Sequence, residues 1–195
     1  YCTECEDEGK DRPTYKGYKE ATEQDIENYE RGRGRWVDSE ELASYVPQGE
    51  IPEGAITAAS SISGNDIFQH GYKTWQDMFN GRQLYALSTL LQAIDNIENQ
   101  TIQEYLLLAF SDSLMFQNNF AVYNVNGSKI ESVFRRNSFT PRVEYTENNV
   151  WGTKAGRGTF HNTWQKIVDA VEFAHNPTER YIEDGELEET EPFDK

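Results

Sequence analysis

The stretch "GRQLYALSTLLQAIDNIENQTIQEYLLLAFSDSLMF" (residues 81–116) decides the fold class, because it contains two helical patterns separated by a short polar turn. In its first half the apolar residues recur every three or four positions, the spacing of one helix face, and this predicts a helix over 81–98. In its second half, Thr101 and Glu104 form a Thr-x-x-Glu capping box, which predicts a helix over about 102–116. Because that second helix is apolar on most of its circumference, we expect it to lie in the middle of the core.

A third helix is predicted after Thr159. An apolar stripe at helical spacing begins there, and Pro177 ends the pattern because proline cannot donate a helical hydrogen bond. We therefore predict a helix over 160–175. The stripe consists of Phe160, Trp164, Ile167, Val168, Val171 and Ala174.

The segment between the second and third helices, residues 119–146, alternates weakly between apolar and polar residues. Asn126-Gly127 is a turn signal, so we expect either an irregular excursion or one short hairpin in this segment. Three helices with little convincing strand predict a mainly α fold.

The first 65 residues are predicted to be loosely built. Thr22 is expected to cap a short polar helix through Tyr29, with Asp25 at its third position. The basic, glycine-broken "RGRGRW" (31–36) is interpreted as a connector, and Ser39 is expected to cap a short turn. We divide the chain into an acidic, loosely ordered segment (1–65), a helical domain (66–182) and an acidic disordered tail (183–195).

The chain has a net charge of −16, and its acidic residues are concentrated at the two ends. Residues 1–30 carry ten acids against four bases, and residues 183–195 carry seven acids against one base. The central stretch, 66–182, has twelve acids and ten bases and is therefore close to neutral. Two interpretations of the ends remain open: general solubilisation, or an acidic tail that binds a basic partner or mimics nucleic acid.

The sequence also gives expectations about location. No apolar run reaches the ~20 residues that a membrane span needs, so we expect no membrane partner. The first residues are acidic, whereas a secretory signal is basic and then apolar. Cys2 and Cys5 are too close in sequence to make a good structural disulfide, so we expect a reducing, cytoplasmic location.

No catalytic template occurs in the sequence. It lacks a Gly-x-Ser-x-Gly elbow, a His-Glu-x-x-His pair and a phosphate-binding Gly-x-x-x-x-Gly-Lys-Ser/Thr loop. His70, His161 and His175 are interpreted as structural residues, and an enzyme of its own would need a pocket that joins His161 to two carboxylates. Cys2 and Cys5 have the spacing of half a zinc knuckle, but a structural zinc takes four ligands and the chain has no further cysteine.

One segment is basic within this acidic chain. From Gly127 to Lys166 there are seven bases and three acids, a local charge of +4, with aromatic and amide residues between them. Arginines on loops contact phosphates, and asparagine and aromatic side chains contact bases. The alternative is that these arginines pair with surplus carboxylates of the same protein.

Three stretches resemble the large adenine-specific DNA methylases that contain a zinc ribbon. They are "GYKTWQDMFNGRQLYALSTLL" (71–91), "LLLAFSDSLMFQNNF" (106–120) and "ENNVWGTKAGRGTF" (147–160), and the opening "YCTECEDEGKDRPTYKGYKEAT" is similar to the end of that ribbon. The resemblance implies that Cys2 and Cys5 are half of a zinc site whose other ligands lie upstream of Tyr1. It also implies that the chain is the middle piece of a longer methylase.

The resemblance carries no catalytic residue onto this chain. In that family the S-adenosylmethionine loop precedes this region and the (Asp/Asn)-Pro-Pro-(Tyr/Phe) motif follows it, and neither occurs here. The nearest approach, residues 176–179 ("NPTE"), lacks the second proline and the aromatic residue. S-adenosylmethionine is therefore expected as the cofactor of the parent enzyme, and this chain alone is predicted to be inactive.

The expected function is to engage double-stranded DNA for such a methyltransferase, with the remaining methyltransferase domain as the second partner. The residues expected to hold phosphates are Arg135, Arg136, Arg142 and Arg157. Those expected to lie nearer the bases are Asn148, Asn149 and Trp151. The alternative is a structural or protein-interaction module that packs on the methyltransferase domain, and it predicts a large exposed apolar patch.

Overall fold

The computed structural model describes residues 20–54, 67–135, 138–139, 146–152, 156–183 and 185–190. Over these residues the chain is mainly α, as predicted. The four α-helices are α1 (Glu23–Val37), α2 (Gly81–Asp95), α3 (Gln100–Leu114) and α4 (Phe160–His175). Two short 3₁₀ helices, Glu40–Tyr45 and Trp75–Met78, lie between α1 and α2 in the sequence.

Helix α2 forms where the apolar periodicity predicts it. Asn80 caps its first turn, since the Asn80 side chain accepts from the Gln83 N–H at 2.9 Å and the Gln83 side chain accepts from the Asn80 N–H at 3.0 Å. Leu84, Leu87 and Ile94 of the predicted face are buried. The helix ends at Asp95, three residues before the predicted end.

Helix α3 differs from its prediction in two respects. It begins at Gln100, and its cap is Asn99, whose side chain accepts from the Ile102 N–H at 3.1 Å, so the predicted Thr101–Glu104 capping box is wrong. The helix also does not lie in the middle of the core. It packs against α2 and α4 through the buried face that carries Ala109 and Phe110, whereas Leu108 on another face is exposed.

The N-terminal segment is more helical than expected. The Thr22 cap with Asp25 is confirmed, but the "RGRGRW" connector is wrong because α1 continues through it to Val37. Gly32 in this segment allows α1 to approach α2 closely, since a Cβ on Gly32 would lie 2.9 Å from Arg82 Cγ. Ser39 stands at the N-cap of the predicted short turn, but its side chain does not cap it, because the Ser39 hydroxyl donates backward to the Arg35 carbonyl at 2.7 Å.

Two apolar clusters form the core. The first lies between α2, α3 and the start of α4, where Leu87, Ile94, Phe110 and Phe160 are buried together. The second gathers residues from the connecting segments around Phe120, whose ring centroid lies 4.6 Å from that of Tyr72. Its buried members are Ile51, Ile67, Tyr72, Met78, Phe120 and Val133.

The strands described in the structure form three antiparallel pairs. β1 (Val122–Asn124) pairs with β2 (Lys129–Glu131), so a hairpin forms within 119–146, and the next pair is a second one in a segment where one hairpin at most was expected. β3 (Phe134–Arg135) pairs with β4 (Ser138–Phe139). At the C-terminal end, β5 (Glu179–Glu183) pairs with β6 (Glu186–Thr190).

The β5–β6 hairpin differs from the disordered tail predicted from residue 183. Tyr181 and Ile182 favour strands, and Gly185 adopts a φ of +85°, a conformation that reverses the chain and suits glycine. Residues 191–195 lie outside the described part of the chain. None of the helices in the described ranges is both long and apolar enough to cross a membrane.

Candidate nucleic-acid interface

The residues that follow Thr146 form a loop with two limbs, one running up to Gly152 and one from Gly156 into α4. The limbs lie side by side, because the Phe160 N–H donates to the Val150 carbonyl at 2.8 Å and the His161 N–H donates to the Trp151 carbonyl at 3.0 Å. We call residues 147–152 and 156–161 together the bracket loop. It comprises most of the third stretch on which the methylase resemblance rests.

The side chain of Gln117 bridges the two limbs. It follows the end of α3 and has no exposed surface. Its side-chain amide nitrogen donates to the Asn149 carbonyl at 2.9 Å and to the Gly158 carbonyl at 2.9 Å. One buried amide therefore satisfies a carbonyl on each limb and fixes the distance between them.

Asn148 and Asn149, expected to lie near bases, also form hydrogen bonds within the loop. The Asn148 side-chain nitrogen donates to the Arg157 carbonyl at 2.9 Å, and its side-chain oxygen accepts from the Asn149 N–H at 3.0 Å. The Asn149 side-chain oxygen accepts from the Gly152 N–H at 2.8 Å. Both residues therefore position the loop, and their contact with bases stays a prediction.

The bracket loop exposes three of the predicted contact residues, namely Asn149, Trp151 and Arg157. Trp151 is 59% exposed, with its ring centroid 5.6 Å from that of Phe160. Arg157 is exposed, and the carbon of its guanidinium group lies 5.5 Å from the Phe116 ring centroid. Gly158 allows this approach, since its φ is +70° and a Cβ there would lie 2.1 Å from Phe116 Cγ.

The His161 ring lies beside Trp151, and the Trp164 ring lies beside His161. The His161 ring centroid is 6.5 Å from that of Trp151 and 5.4 Å from that of Trp164, with the second pair in an edge-on arrangement. We call Trp151, His161 and Trp164 the aromatic patch. Its two indoles are exposed, and Trp164 is also a member of the apolar stripe that predicted α4.

The sequence contains a signal for this patch that the periodicity argument missed. His161 and Trp164 are three residues apart on α4, a spacing that puts two side chains on one face of a helix. The patch also lies at the first turn of α4, where the Thr159 side chain caps the helix by accepting from the Asn162 N–H at 3.3 Å. The partial positive charge of a helix N-terminus favours anionic groups nearby.

Ion pairs reduce both the acidic and the basic charge near the loop. Glu147 accepts from Arg82 Nε at 2.7 Å and from the Asn80 side chain at 3.0 Å. The hydrogen bond to Glu147 raises the pKa of Arg82 above its ordinary value. Lys166 lies 3.8 Å from Asp112, so this base of the basic segment does pair with a carboxylate of the same protein.

Nothing in the described part of the chain places the other predicted site residues at the bracket loop. The backbone of Arg135 lies in β3, and Arg136, Arg142, Cys2 and Cys5 lie outside the described residues. No group of three His, Cys, Asp or Glu side chains within the described ranges could hold a metal ion. The zinc pair and the three arginines therefore stay predictions.

No family model, no curated protein sequence and no solved structure matches this chain. The similarity to zinc-ribbon adenine-specific methylases therefore remains a resemblance of the three quoted stretches.

Proposed function

We propose that this chain is a DNA-engaging helical region of an S-adenosylmethionine-dependent, adenine-specific DNA methyltransferase. The resemblance of the three stretches supports the enzyme class. The bracket loop supports the role in DNA contact, because it holds an exposed indole and an exposed guanidinium group on a segment that the buried amide of Gln117 positions.

The single observation that carries the DNA contact is the aromatic patch. Exposed aromatic rings stack on bases without regard to sequence, and each stacked base contributes about 1–3 kcal/mol. Arg157 supplies the positive charge that a phosphate group needs, and it belongs to the same loop as Trp151. Asn148 and Asn149 contribute by positioning these two residues, and Gln117 fixes the limbs on which they lie.

The chemistry of adenine methylation explains why flat apolar faces are useful in this region. The target base must leave the duplex before its amino group can be methylated, which costs a few kcal/mol of stacking energy. An aromatic patch that stacks on an unpaired base offsets part of that cost. The methyl donor and the residues that accept the target amine belong to other parts of the proposed parent enzyme.

Fluorescence anisotropy of labelled DNA tests this proposal. Single-stranded and duplex DNA of about 20 nucleotides are titrated with the chain at about 50 and 200 mM salt. We expect Trp151→Ala to weaken binding by about 5–100-fold and Arg157→Ala to flatten the salt dependence. Phe173→Ala and Arg33→Ala, exposed residues on other surfaces, are the matched controls. Absence of binding at low salt would exclude DNA contact by this chain, and equal binding by all variants would exclude the bracket loop as the contact surface.

A second function, a protein-interaction module, is favoured by a different observation. Helix α3 exposes Ile102, Tyr105 and Leu108, and Leu108 also lines an apolar groove. Exposed apolar surface of this kind marks sites where another polypeptide packs. This function and DNA contact use different residues and can coexist in one enzyme.

A further inference from the structure

An apolar groove lies between α3 and the connecting segments that precede α2. Its volume is about 740 Å³, within the range of cavities that bind ligands. Leu108 of α3, Met115 directly after that helix, Pro47 and residues of the second 3₁₀ helix line it. The principal apolar side chains that line it are Pro47, Trp75, Met78, Phe79, Leu108 and Met115.

The groove continues into the exposed face of α3. Leu108 is 59% exposed although it lines the groove, and Tyr105 and Ile102, three and six residues earlier, are exposed as well. Residues three apart are neighbours on a helix surface, so these side chains form a strip that leads away from the groove. Burial of such a strip stabilises a complex, because each large apolar side chain gains free energy when it leaves water.

The charges on the elements that border the groove are mostly acidic. Helix α3 contains two acids, Glu104 and Asp112, and no lysine or arginine, and Asp112 itself lines the groove. The first 3₁₀ helix, which ends just before Pro47, begins with Glu40 and Glu41. Asp112 forms an ion pair with Lys166 at 3.8 Å. Because both side chains are well exposed, Lys166 neutralises this carboxylate only weakly.

We propose that this groove binds an amphipathic basic helix of a protein partner. An apolar groove with an apolar strip accepts the side chains that a helix presents at positions i, i+3 or i+4, and i+7. The acidic border selects lysine and arginine on the flanks of that helix, and it disfavours a second copy of this chain, whose net charge is −16. The inference rests on the second function proposed above and is independent of DNA contact.

The test uses a fluorescein-labelled peptide of about 18 residues, long enough to span α3 as a helix. Its leucines stand at i, i+3, i+4 and i+7 and its other positions are mainly lysine, and a peptide with the leucines replaced by serine keeps the charge. We expect saturable binding of the leucine peptide near physiological salt, weakened about 10-fold or more by Leu108→Gln. Asp112→Asn should weaken binding less and reduce its salt dependence.

Matched controls separate the groove from general charge attraction. Leu187→Gln changes an equally exposed leucine in the β5–β6 hairpin, and Asp169→Asn changes an exposed carboxylate on α4. Both variants should bind the peptide as the unchanged chain does. Equal binding of the serine peptide, or equal loss in Leu108→Gln and Leu187→Gln, would overturn the proposal.

Further measurements distinguish failure of this inference from failure of the protein-interaction function on which it rests and from failure of DNA contact. If the chain binds the dye ANS and Leu108→Gln abolishes that signal while no peptide binds, the basic helix is overturned but an interaction surface remains. If no dye binds, the interaction-module function is overturned too. A concentration-dependent dimer that Leu108→Gln disperses would assign the groove to a second copy. DNA anisotropy should be the same for Leu108→Gln and the unchanged chain.

Discussion

The side-chain amide of Gln117 donates a hydrogen bond to the backbone carbonyl of Gly158, 2.9 Å away and 41 residues later in the sequence. The same nitrogen donates to the Asn149 carbonyl at 2.9 Å, while the side-chain oxygen of Gln117 has no partner among the described residues. The contribution of Gln117 to the bracket loop therefore comes from its two donated bonds. Both hold backbone that carries the exposed Trp151 and Arg157.

Gln117→Met keeps the length of this side chain and removes its donors. Two carbonyls then lose their partner in a buried or half-buried position, and we expect the free energy of unfolding to fall by about 2–4 kcal/mol. Urea denaturation followed by circular dichroism measures this loss. Gln103→Met is the control, because Gln103 donates to the exposed Asp95 carbonyl at 2.9 Å, and it should cost less than about 1 kcal/mol. Equal losses in the two variants would contradict the fastening role of Gln117.

Gly158→Ala tests the close packing of the loop on Phe116. The added Cβ meets Phe116 Cγ at 2.1 Å and also requires a φ of +70° from a residue that disfavours it. Gly71→Ala is the matched control, since Gly71 has a φ of +87° with no atom within 4 Å of the added Cβ. We expect Gly71→Ala to cost about 1 kcal/mol from backbone strain alone. Gly158→Ala should cost at least about twice as much, because overpacking adds to the strain, and equal costs would contradict the packing argument.

The helices were predictable because the signals that form them are local. The apolar periodicity of α2 and the Thr159 cap of α4 each lie within a few residues of the element they define. The start of α3 was missed because two candidate caps stand two residues apart, and Asn99 forms the bond that the Thr101 box was expected to form. The continuation of α1 through "RGRGRW" was missed for a different reason. Its glycines lower helix propensity, and packing against α2, which lies about 50 positions later, overrides that local preference.

The candidate site was predictable only as a segment. Composition located the basic, aromatic stretch that contains Trp151 and Arg157, but it could not assign roles within that stretch. The roles of Asn148 and Asn149 depend on backbone groups in the other limb and in the turn, which no spacing rule specifies. Gln117 was not singled out at all, because its partners are 32 and 41 residues away. The apolar composition of α3 predicted burial, yet burial also requires a neighbouring element on each side.

Asp77 gives the fold a defined sensitivity to acid. Burial alone would raise the pKa of Asp77, but the N–H groups of Thr74 and Lys73 and the Thr74 hydroxyl donate to its carboxylate and together lower its pKa below the ordinary 3.8. A carboxyl whose pKa is lower in the folded state stabilises that state above pH 3.8, and this contribution is lost as the pH falls through the folded pKa.

Asp77→Asn measures that contribution. At neutral pH the variant should be about 1 kcal/mol less stable, the usual effect of weakening a helix cap. The difference should shrink as the pH falls below 3.8 and through the lowered pKa of the folded Asp77 carboxyl, where the carboxyl of the unchanged chain becomes protonated. Urea denaturation at several pH values gives both numbers, with Asp169→Asn as a control that should stay within about 0.5 kcal/mol of the unchanged chain. A difference that grows as the pH falls would have the opposite sign and would contradict this assignment.

The ion pair between Arg82 and Glu147 is expected to join α2 to the bracket loop. Their side chains are 39% and 21% exposed, and the Nε–Oε1 distance is 2.7 Å, whereas the pair Arg33–Glu30 within α1 is 62% and 56% exposed at 3.4 Å. Partial burial weakens solvent screening, so the coupling energy should be larger for the first pair. A double-mutant cycle with Arg82→Met and Glu147→Gln should give about 1 kcal/mol, and the cycle for Arg33 and Glu30 should give about 0.3 kcal/mol.

Salt and DNA binding extend this test. The coupling of Arg82 to Glu147 should persist at about 0.5 M salt because part of the pair is sheltered, while the exposed pair should lose its coupling. Glu147→Gln should also loosen the loop that carries Trp151, so DNA anisotropy should show weaker binding although a negative charge has been removed. Stronger binding by Glu147→Gln would mean that the charge of this carboxylate matters more to DNA than its hold on the loop. That result would remove Arg82–Glu147 from the residues that position the interface.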